Sequence, residues 1–476
     1  MHSFLREKLF QLGRRNNLSL DSFLYERRFE LIVLLLVAIS LGTRFYNLNV
    51  PDTYYFDEVS FAFTAGEMVK GNIHVWEGWP SLGKAPKGFN YEWNHPPLGK
   101  ELIALGILIF GDNTFGWRFF PALFGGIGTL FLYILGKDLF QSKRIGLFAA
   151  FLYTFDSFGF ILSRVAIVDI FLLNFIILAS LFLVKYGRSQ KSYFLILSGI
   201  FCGLAMSVKW SGVYATGFLA TIAFILAYYI EVYGATGKGY SFLLSTFKVV
   251  LKIIIFFMII PPAVYFTTYI PYFLAGPRLL DFIFLHKSMF IYHQTILWTH
   301  PYQSPWWKWP LMLRTIYLYA IELAEDHRYI MLMGNPFIWW TGCVFFLLGI
   351  GQTIRRQLPS LAFAFLSVFA YWLPWALSPR KVTFIYHFLP SVVFILLIIA
   401  YFLDSLWRRF RYGKGIVMLY LLAAVGMFIY FYPITAAVPI ADHAICRYVW
   451  IKGWRARYWP PLREEEQCVP LINKWF

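Results

Sequence analysis

Two adjacent carboxylic acids, Asp57 and Glu58, are the residues of this sequence whose types point most directly to chemistry. They follow an aromatic run, residues 54–56. A carboxylate held at a membrane face can accept a proton from an attacking hydroxyl and can orient a neighbouring group. The same two acids in a solvated loop would do neither. We therefore treat Asp57 and Glu58 as candidate catalytic residues.

A second candidate segment, residues 91–100, reads Tyr-Glu-Trp-Asn-His-Pro-Pro-Leu-Gly-Lys. Its two prolines restrict the backbone to an extended form, so His95 and Lys100 would be held rigidly near the lipid headgroups. A histidine beside a proline is also a common turn residue. We predict that His95 and Lys100 support the site.

Charged residues at the outer ends of apolar runs form a third group. Arg164 and Asp169 lie in the segment 163–169, and Lys209 lies in the segment 207–212. Charges at such depths are costly unless they are paired or used. Arg164 can hold a phosphate through its planar fork of donors, or it can pair with Asp169. Lys209 can bind an anion too, or it can extend along the bilayer to reach water.

Arg380 and His387 lie around the outer end of a later apolar run, against the positive-inside trend. An anionic group outside the membrane, such as a lipid phosphate, would account for them, and ordinary headgroup contact is the alternative. Arg164, Lys209 and Arg380 are therefore the candidate phosphate-binding residues. Asp169 and His387 are candidate supporting residues.

Several of these side chains are also chemically suited to a divalent metal. The potential ligands are Asp57, Glu58, Glu92, His95 and His300. No spacing among them is diagnostic of a metal site. The sequence therefore predicts no metal ligands and leaves a divalent cofactor as an open alternative.

The composition places all these residues in a membrane protein. Of 476 residues, 59% are hydrophobic and 14% are charged, which leaves too little polar surface for a soluble globule. The net charge of +17 invites a nucleic-acid partner. The basic residues instead cluster between apolar runs, as at 143–144 and 408–409, in the pattern of cytoplasmic loops. We predict contact with membrane lipids and none with nucleic acid.

The apolar runs predict an all-α integral membrane protein. A helix needs about 20 apolar residues to span the bilayer, and placing basic ends in the cytoplasm gives about eleven crossings. They lie near residues 31–46, 117–135, 145–162, 170–184, 193–208, 212–230, 249–267, 336–352, 362–377, 382–402 and 416–432. Segments 61–70 and 102–110 are predicted to lie on the outer surface as interfacial helices.

This threading divides the chain into three parts. Residues 1–30 form a cytoplasmic N-terminus, residues 31–432 a transmembrane catalytic domain, and residues 433–476 an outer C-terminal tail. Two long outer loops, 47–116 and 269–335, would carry the functional site. In the tail, Cys446 and Cys468 either form a disulfide or remain free thiols.

The motifs, taken in order, resemble those of the protein O-mannosyltransferase family, whose members use dolichyl- or polyprenyl-phosphate mannose. The matching stretches are Phe-Asp-Glu at 56–58, His-Pro-Pro-Leu-Gly-Lys at 95–100, and residues 111–118, 163–169, 208–212, 300–307, 334–336 and 386–390. They extend over nearly the whole chain. Each is weak alone, but their shared order is specific, and the tryptophan-rich second loop looks most like prokaryotic members.

The resemblance implies a GT-C type glycosyltransferase with its site outside the membrane. Such an enzyme would transfer mannose from polyprenyl- or dolichyl-phosphate mannose to Ser or Thr hydroxyls of a protein, with inversion at the anomeric carbon. By the resemblance, Asp57 would be the general base, Glu58 would position the acceptor, and Arg164 would contact the lipid phosphate. The lipid-linked sugar is then the donor substrate.

The same resemblance bears on location. Eukaryotic members carry a folded lumenal domain in the second long loop, and residues 269–335 leave no room for it. This favours the plasma membrane of a prokaryote, with the N-terminus in the cytoplasm and the C-terminus outside. The endoplasmic-reticulum membrane is the alternative.

Three other functions compete with this interpretation. A GT-C transferase for another lipid-linked sugar, or for a lipid or glycan acceptor, would share the fold and the site. A transporter would carry ionisable residues near the middle of the membrane, whereas the acids here gather at outer ends. A non-catalytic scaffold would keep its role without Asp57 and Glu58.

Overall fold

The computed structural model describes residues 20–233, 242–295, 299–323, 326–441 and 444–455. In chain order its helices are α1 (Leu20–Phe45), α2 (Glu58–Val69), α3 (Leu98–Phe110), α4 (Thr114–Phe140), α5 (Lys143–Thr154), α6 (Ser157–Leu162), α7 (Asp169–Ser189), α8 (Tyr193–Val208), α9 (Gly212–Val232), α10 (Phe242–Thr267), α11 (Ile270–Leu274), α12 (Leu279–Thr295), α13 (Pro336–Arg356), α14 (Pro359–Leu377), α15 (Ile385–Arg409) and α16 (Gly413–Thr435). Two strands, β1 (Ile316–Leu323) and β2 (Asp326–Leu332), form an antiparallel hairpin.

The long helices coincide with the predicted crossings. Eight of the described helices are long and apolar enough to span a bilayer, namely α4, α7, α9, α10, α13, α14, α15 and α16. The predicted crossing near 31–46 lies in α1, and the one near 193–208 is the 16-residue helix α8. The crossing near 145–162 is divided between α5 and α6. The protein is therefore a multi-span membrane protein.

The helices differ in how much of their surface is buried: two are central and others are peripheral. The apolar windows of α15 and α7 are 78% and 72% buried within the protein, compared with 17% in α10 and 22% in α13. Peripheral helices present large apolar side chains outward, as Leu243 and Phe247 do on α10. In lipid such a surface is favourable, because the hydrocarbon is as apolar as the side chains.

The break between α5 and α6 is fastened to the start of α13. Asp156, at the break, is buried, and its Oδ1 accepts hydrogen bonds from the Asn335 backbone N–H and the Trp339 indole, both at 2.9 Å. The Asn335 side chain accepts from the Phe337 N–H, which caps α13, and it donates to two backbone carbonyls, Phe155 and Ala424. The Gly-Asn-Pro motif at 334–336 is thus a helix cap that also joins three segments.

The outer segments are more ordered than the sequence predicted. The two predicted interfacial segments are helices α2 and α3. The second long loop contains α12 and the β-hairpin, and the hairpin was not predicted from the sequence. Tyr and Ile residues along β1 favour a strand, and the register runs from Ile316 opposite Leu332 to Leu323 opposite Asp326.

The C-terminal tail packs on this hairpin. The backbone N–H groups of Ala437 and Ile440 donate to the carbonyls of Tyr329 and His327 at 3.2 and 2.9 Å. Cys446 is disulfide-bonded, whereas Cys468, its predicted partner, lies outside the described residues. The hairpin also packs through β2 against α6 and α16.

Candidate active site

Asp57 sits at the N-terminus of α2 with its carboxylate left free of the helix. Its backbone carbonyl accepts hydrogen bonds from the N–H groups of Ser60 and Phe61, both at 2.9 Å, and its side chain makes no capping bond. The preceding residue, Phe56, has a left-handed φ of 53°. The Phe56 ring contacts the Tyr386 ring at a centroid distance of 6.4 Å. The turn therefore aims a half-buried carboxylate toward the Tyr386 side of the molecule.

Glu58, the neighbouring acid, points into the protein instead. Its two oxygens receive Nε and Nη2 of Arg118 at 2.7 and 2.8 Å, and the pair has no exposed side-chain surface. The Ala166 N–H also donates to Glu58 at 2.9 Å. Both carboxylate oxygens are thus engaged by the protein. Glu58, which the resemblance predicts to position the acceptor, has no exposed side-chain surface in this structure.

Lys209 and Asp169 form a nearly buried ion pair between the helices α7, α8 and α9. Lys209 follows the last residue of α8, and its Nζ lies 2.9 Å from Oδ1 of Asp169, the first residue of α7. The ammonium also lies 5.1 Å from the centre of the Tyr386 ring. Lys209 has a second and third N–H donor beyond this ion pair, so it can still receive an anion.

A narrow cavity opens beside this pair. Its lining includes Asp169, Lys209, Tyr214, Trp375, Tyr386 and His387. His387 is buried, its Nδ1 contacts the Phe384 carbonyl at 2.9 Å, and its Nε2 has no hydrogen-bond partner in the described part of the chain. A buried polar atom without a partner is costly unless a ligand or water satisfies it. The cavity therefore presents a cation and an unpaired ring nitrogen to the same small space.

Arg380 brings a second cation to the site from the loop after α14. Its Nε donates to the Val382 carbonyl at 2.9 Å, and its Nη1 donates to Nδ1 of His293 at 3.5 Å. His293, on α12, donates from Nε2 to the Asn94 carbonyl at 2.8 Å. These contacts join both long outer loops to the segment after α14.

The surrounding charges act directly on Asp57. Burial raises the pKa of its carboxyl group to about 6, with Asp169 and Glu92 adding to the rise and Lys209 and Arg380 opposing it. A carboxylate with a pKa near neutrality is a better general base than an ordinary one, because it holds a proton more firmly while remaining largely ionised at pH 7.

Lys100, Glu92 and His95 form a hydrogen-bonded triad next to the site. Lys100 Nζ lies 2.6 Å from Oε2 of Glu92, and His95 Nδ1 lies 2.7 Å from Oε1. Lys100 also donates to the carbonyls of Glu92 and His95 at 2.5 and 2.9 Å, so all three of its donors are used. Burial alone would raise the pKa of Glu92, but Lys100 and His95 outweigh it and lower this pKa to about 2.

Arg164 lies apart from the other predicted phosphate ligands. Its Nη1 donates to the carbonyls of Thr43, Arg44 and Tyr46, at 3.1, 2.7 and 2.7 Å, and its Nη2 donates to the Asn47 carbonyl at 3.0 Å. Thr43 and Arg44 lie in the last turn of α1, where carbonyls have no intrahelical N–H partner, and Tyr46 and Asn47 follow the helix directly. The fork of donors that suited a phosphate is used to cap a helix.

The structure thus brings together Asp57, Lys209, Asp169, Arg380, His387 and His95. Glu58, Arg164 and Lys100 are instead bonded to other groups of the protein. Sequence reasoning assigned no such role to Arg118, Tyr386, His293 or Glu92. The sequence signals for them were Arg118 at the end of the 111–118 motif and Glu92 beside His95. In the described residues, no three His, Cys, Asp or Glu side chains converge on a metal position.

The arrangement of the helices is that of membrane glycosyltransferases of the GT-C class. The fold resembles that of the Saccharomyces cerevisiae protein O-mannosyltransferase Pmt1-Pmt2 complex, with a TM-score of 0.74 at 16% identity over 93% of this chain and 95% of that one. It also resembles ArnT from Cupriavidus metallidurans, with a TM-score of 0.54 at 14% identity over 84% and 65% of the two chains.

The chain belongs to the dolichyl-phosphate-mannose-protein mannosyltransferase family. The family model matches residues 34–275, and the model of the C-terminal four-helix region of protein O-mannosyltransferases matches residues 278–454. The polyprenol-phosphate-mannose–protein mannosyltransferase of Mycobacterium tuberculosis is 27% identical over 489 residues, covering 88% of this chain and 91% of its own. The family and the fold class predicted from the motifs are confirmed, and the protein is an enzyme.

Proposed function

We propose that the protein moves mannose from a polyprenyl or dolichyl phosphate to a Ser or Thr hydroxyl of a protein on the outer side of the membrane. Family membership and the names of its relatives support the reaction. The observation that carries the assignment to residues is the position of Asp57, a half-buried carboxylate acted on by the positive charges of Lys209 and Arg380. An inverting transfer needs a base on one side of the anomeric carbon and cations on the other.

Asp57 is the general base of this proposal. The acceptor oxygen attacks the anomeric carbon while its proton passes to the Asp57 carboxylate, and the bond between that carbon and the phosphate oxygen breaks. The lipid phosphate leaves with an additional negative charge, so the reaction consumes no further reagent. A positioned base contributes roughly 10²- to 10⁴-fold in rate.

Lys209, Arg380 and His387 bind the departing phosphate in this scheme. Negative charge grows on that group as the bond breaks, and preorganised cations stabilise the charge more than they stabilise the ground state. The Phe384 N–H lies 3.2 Å from His387 Nδ1 and can donate to it, which puts the ring proton on the unpartnered Nε2. In this tautomer Nε2 donates to a phosphate oxygen and loses its desolvation penalty. Asp169 keeps Lys209 in place through the 2.9 Å ion pair.

An apolar groove next to the cavity suits the isoprenoid. It encloses about 630 Å³ between α9 and α14 and is lined by Tyr214, Phe218, Leu366, Phe369, Leu373 and Leu377, among others. Tyr214 lines both this groove and the cavity that holds Lys209. A lipid tail in the groove would therefore place its phosphate at the cations, at headgroup depth.

Glu58 and Arg164 act indirectly in this proposal. The Arg118 to Glu58 pair fixes the first residue of α2, immediately after Asp57, and so fixes the direction of the base. Arg164 holds the end of α1, from which the Asp57 loop departs. We place the site outside a prokaryotic plasma membrane, with the N-terminus in the cytoplasm, as the charge pattern and the bacterial relatives favour.

The proposal is tested by transfer of radiolabelled mannose from synthetic polyprenyl-phosphate mannose to Ser- or Thr-containing peptides by the purified protein. Asp57→Asn should lose most turnover and keep donor binding. Asp52→Asn is the matched control, because Asp52 is an exposed acid of the same loop. Full turnover by Asp57→Asn would remove Asp57 from the mechanism. Donor binding without transfer by the wild type would direct the search to another sugar or acceptor.

A further inference from the structure

The Lys100, Glu92 and His95 triad fixes the tautomer of His95. An ionised carboxylate can only accept hydrogen bonds, so the proton between Glu92 Oε1 and His95 Nδ1, 2.7 Å apart, belongs to Nδ1. The side chain of Asn94 also turns its Oδ1 toward Nδ1, at 3.3 Å. Burial lowers the pKa of His95 despite the opposing effect of Glu92, which favours a neutral ring. Nε2 is then left with a lone pair.

The His95 ring lies between Asp57, the proposed base, and Arg380, one of the proposed phosphate-binding cations. On one side His95 packs against Phe61, at 5.7 Å between ring centroids, and Phe61 lies one helical turn from Asp57. On the other side it packs against His293, at 5.4 Å, and His293 contacts Arg380. His95 Nε2 makes no hydrogen bond in the described part of the chain. In the donor, the sugar occupies the space between the phosphate and the attacking hydroxyl.

We infer that Glu92 is a positioning residue that holds His95 in the tautomer whose Nε2 accepts a hydrogen bond from a hydroxyl of the donor sugar. The inference rests on the proposed function and adds a basis for sugar recognition. Lys100 keeps Glu92 ionised and oriented, and Glu92 keeps the proton on Nδ1. The result is an acceptor directed at a sugar hydroxyl, in a region where Lys209 and Arg380 supply donors.

Amide substitution at Glu92 should invert this arrangement. The carboxylate gives Oε2 to Lys100 and Oε1 to His95, whereas a glutamine has one oxygen and one NH₂ group. In Glu92→Gln the charged Lys100 takes the oxygen, and the NH₂ group faces Nδ1. Nδ1 must then accept, which moves the ring proton to Nε2. His95→Asn is the companion variant, since its amide can still donate to Glu92 but has no atom at the Nε2 position.

The first experiment compares kcat/KM for polyprenyl-phosphate mannose with that for each monodeoxy-mannosyl donor. In the wild type, removal of the contacted hydroxyl should lower kcat/KM roughly two- to tenfold, the effect of one neutral hydrogen bond. Glu92→Gln and His95→Asn should lose a similar factor with the full donor and no longer discriminate against that one deoxy donor. A purely structural triad would lower activity equally with every donor, and that outcome overturns the inference.

A second experiment does not depend on transfer. Nitrogen NMR of protein labelled with ¹⁵N-histidine, with His95→Asn used to assign the resonances, reports which ring nitrogen carries the proton. The inference requires an unprotonated Nε2 in the wild type and a protonated Nε2 in Glu92→Gln. A protonated Nε2 in the wild type would overturn it even if mannose transfer succeeds. If the tautomer is as inferred and no mannose transfer occurs, the proposed function fails by itself.

Discussion

Arg118 donates two hydrogen bonds to the Glu58 carboxylate, from Nε at 2.7 Å and from Nη2 at 2.8 Å. Neither side chain of this ion pair has exposed surface. Arg118 also donates to the backbone carbonyls of Leu48, Pro51 and Thr53. The guanidinium therefore holds the whole connection between α1 and α2, in which Asp57 lies. Glu58, through its bond to Arg118, thus holds the backbone next to Asp57 in place.

Loss of one partner from this pair should be strongly destabilising. Arg118→Met leaves the Glu58 carboxylate buried without a counter-charge, which costs about 3–5 kcal/mol. Thermal unfolding of the purified protein in detergent should show a large fall in midpoint. Lys70→Gln breaks the exposed pair with Glu67, worth about 0–1 kcal/mol, and is the matched control. Equal midpoints for the two variants would contradict the bracing role.

The pH dependence of catalysis should report Asp57. The pKa of its carboxyl group is raised to about 6, and the base works only when deprotonated. Consequently kcat/KM should be level above that pH and fall about tenfold per pH unit below it. Arg380→Gln removes a charge that lowers this pKa, so the inflection should move to higher pH. Lys84→Gln, in an outer lysine paired with Glu77, should leave the inflection in place.

Variants of the Lys209–Asp169 ion pair should affect the unfolding midpoint and the KM for the donor differently. Lys209→Met strands a buried carboxylate and should lower the unfolding midpoint. The double variant Lys209→Met/Asp169→Asn removes both charges and should recover most of the lost stability. Its KM for the donor should still be about 10- to 100-fold raised, as expected for a lost charge-assisted hydrogen bond. Recovery of both properties would show that Lys209 serves only Asp169.

Arg164→Lys distinguishes a helix cap from a phosphate ligand. Lysine keeps the positive charge but lacks the planar fork that reaches the four carbonyls at the end of α1. We expect about 1–3 kcal/mol of lost stability from the unsatisfied carbonyls and an unchanged KM for the donor in the folded fraction. The measurement is the KM for the donor in Arg164→Lys and in Arg380→Gln, where Arg380→Gln is the variant expected to raise it. A raised donor KM in Arg164→Lys without loss of stability would restore the phosphate role.

The membrane architecture was predictable from the sequence because its physics is local. Hydropathy and the placement of Lys and Arg depend only on consecutive residues, and the predicted crossings coincide with helices except for the one divided between α5 and α6. The β-hairpin of the second outer loop was missed. Its strands are short, at eight and seven residues, and the tail segment that packs on β2 lies about 100 residues later in the chain, a contact that no local pattern records.

The sequence indicated which charged residues could gather near the outer loops, but not which partner each of them has in the structure. A charged side chain at an outer helix end has to be satisfied, and the sequence does not tell whether a ligand or the protein satisfies it. Lys209 still has N–H donors available for an anion. Arg164 instead donates its hydrogen bonds to backbone carbonyls about 120 residues earlier in the chain. Glu58 is likewise paired with a residue 60 positions away. Such long-range partners decide between catalysis and support.

The left-handed backbone of Phe56 implies that stability and turnover compete at this position. A bulky residue with positive φ costs about 1–3 kcal/mol of strain, which a glycine would relieve. The substitution Phe56→Gly would also remove the ring contact with Tyr386, and the Asp57 carboxylate would no longer be held in one orientation. A sequence selected for robustness alone would not keep phenylalanine here. Under the proposed mechanism, alignment of the Asp57 carboxylate outweighs this gain in folding free energy.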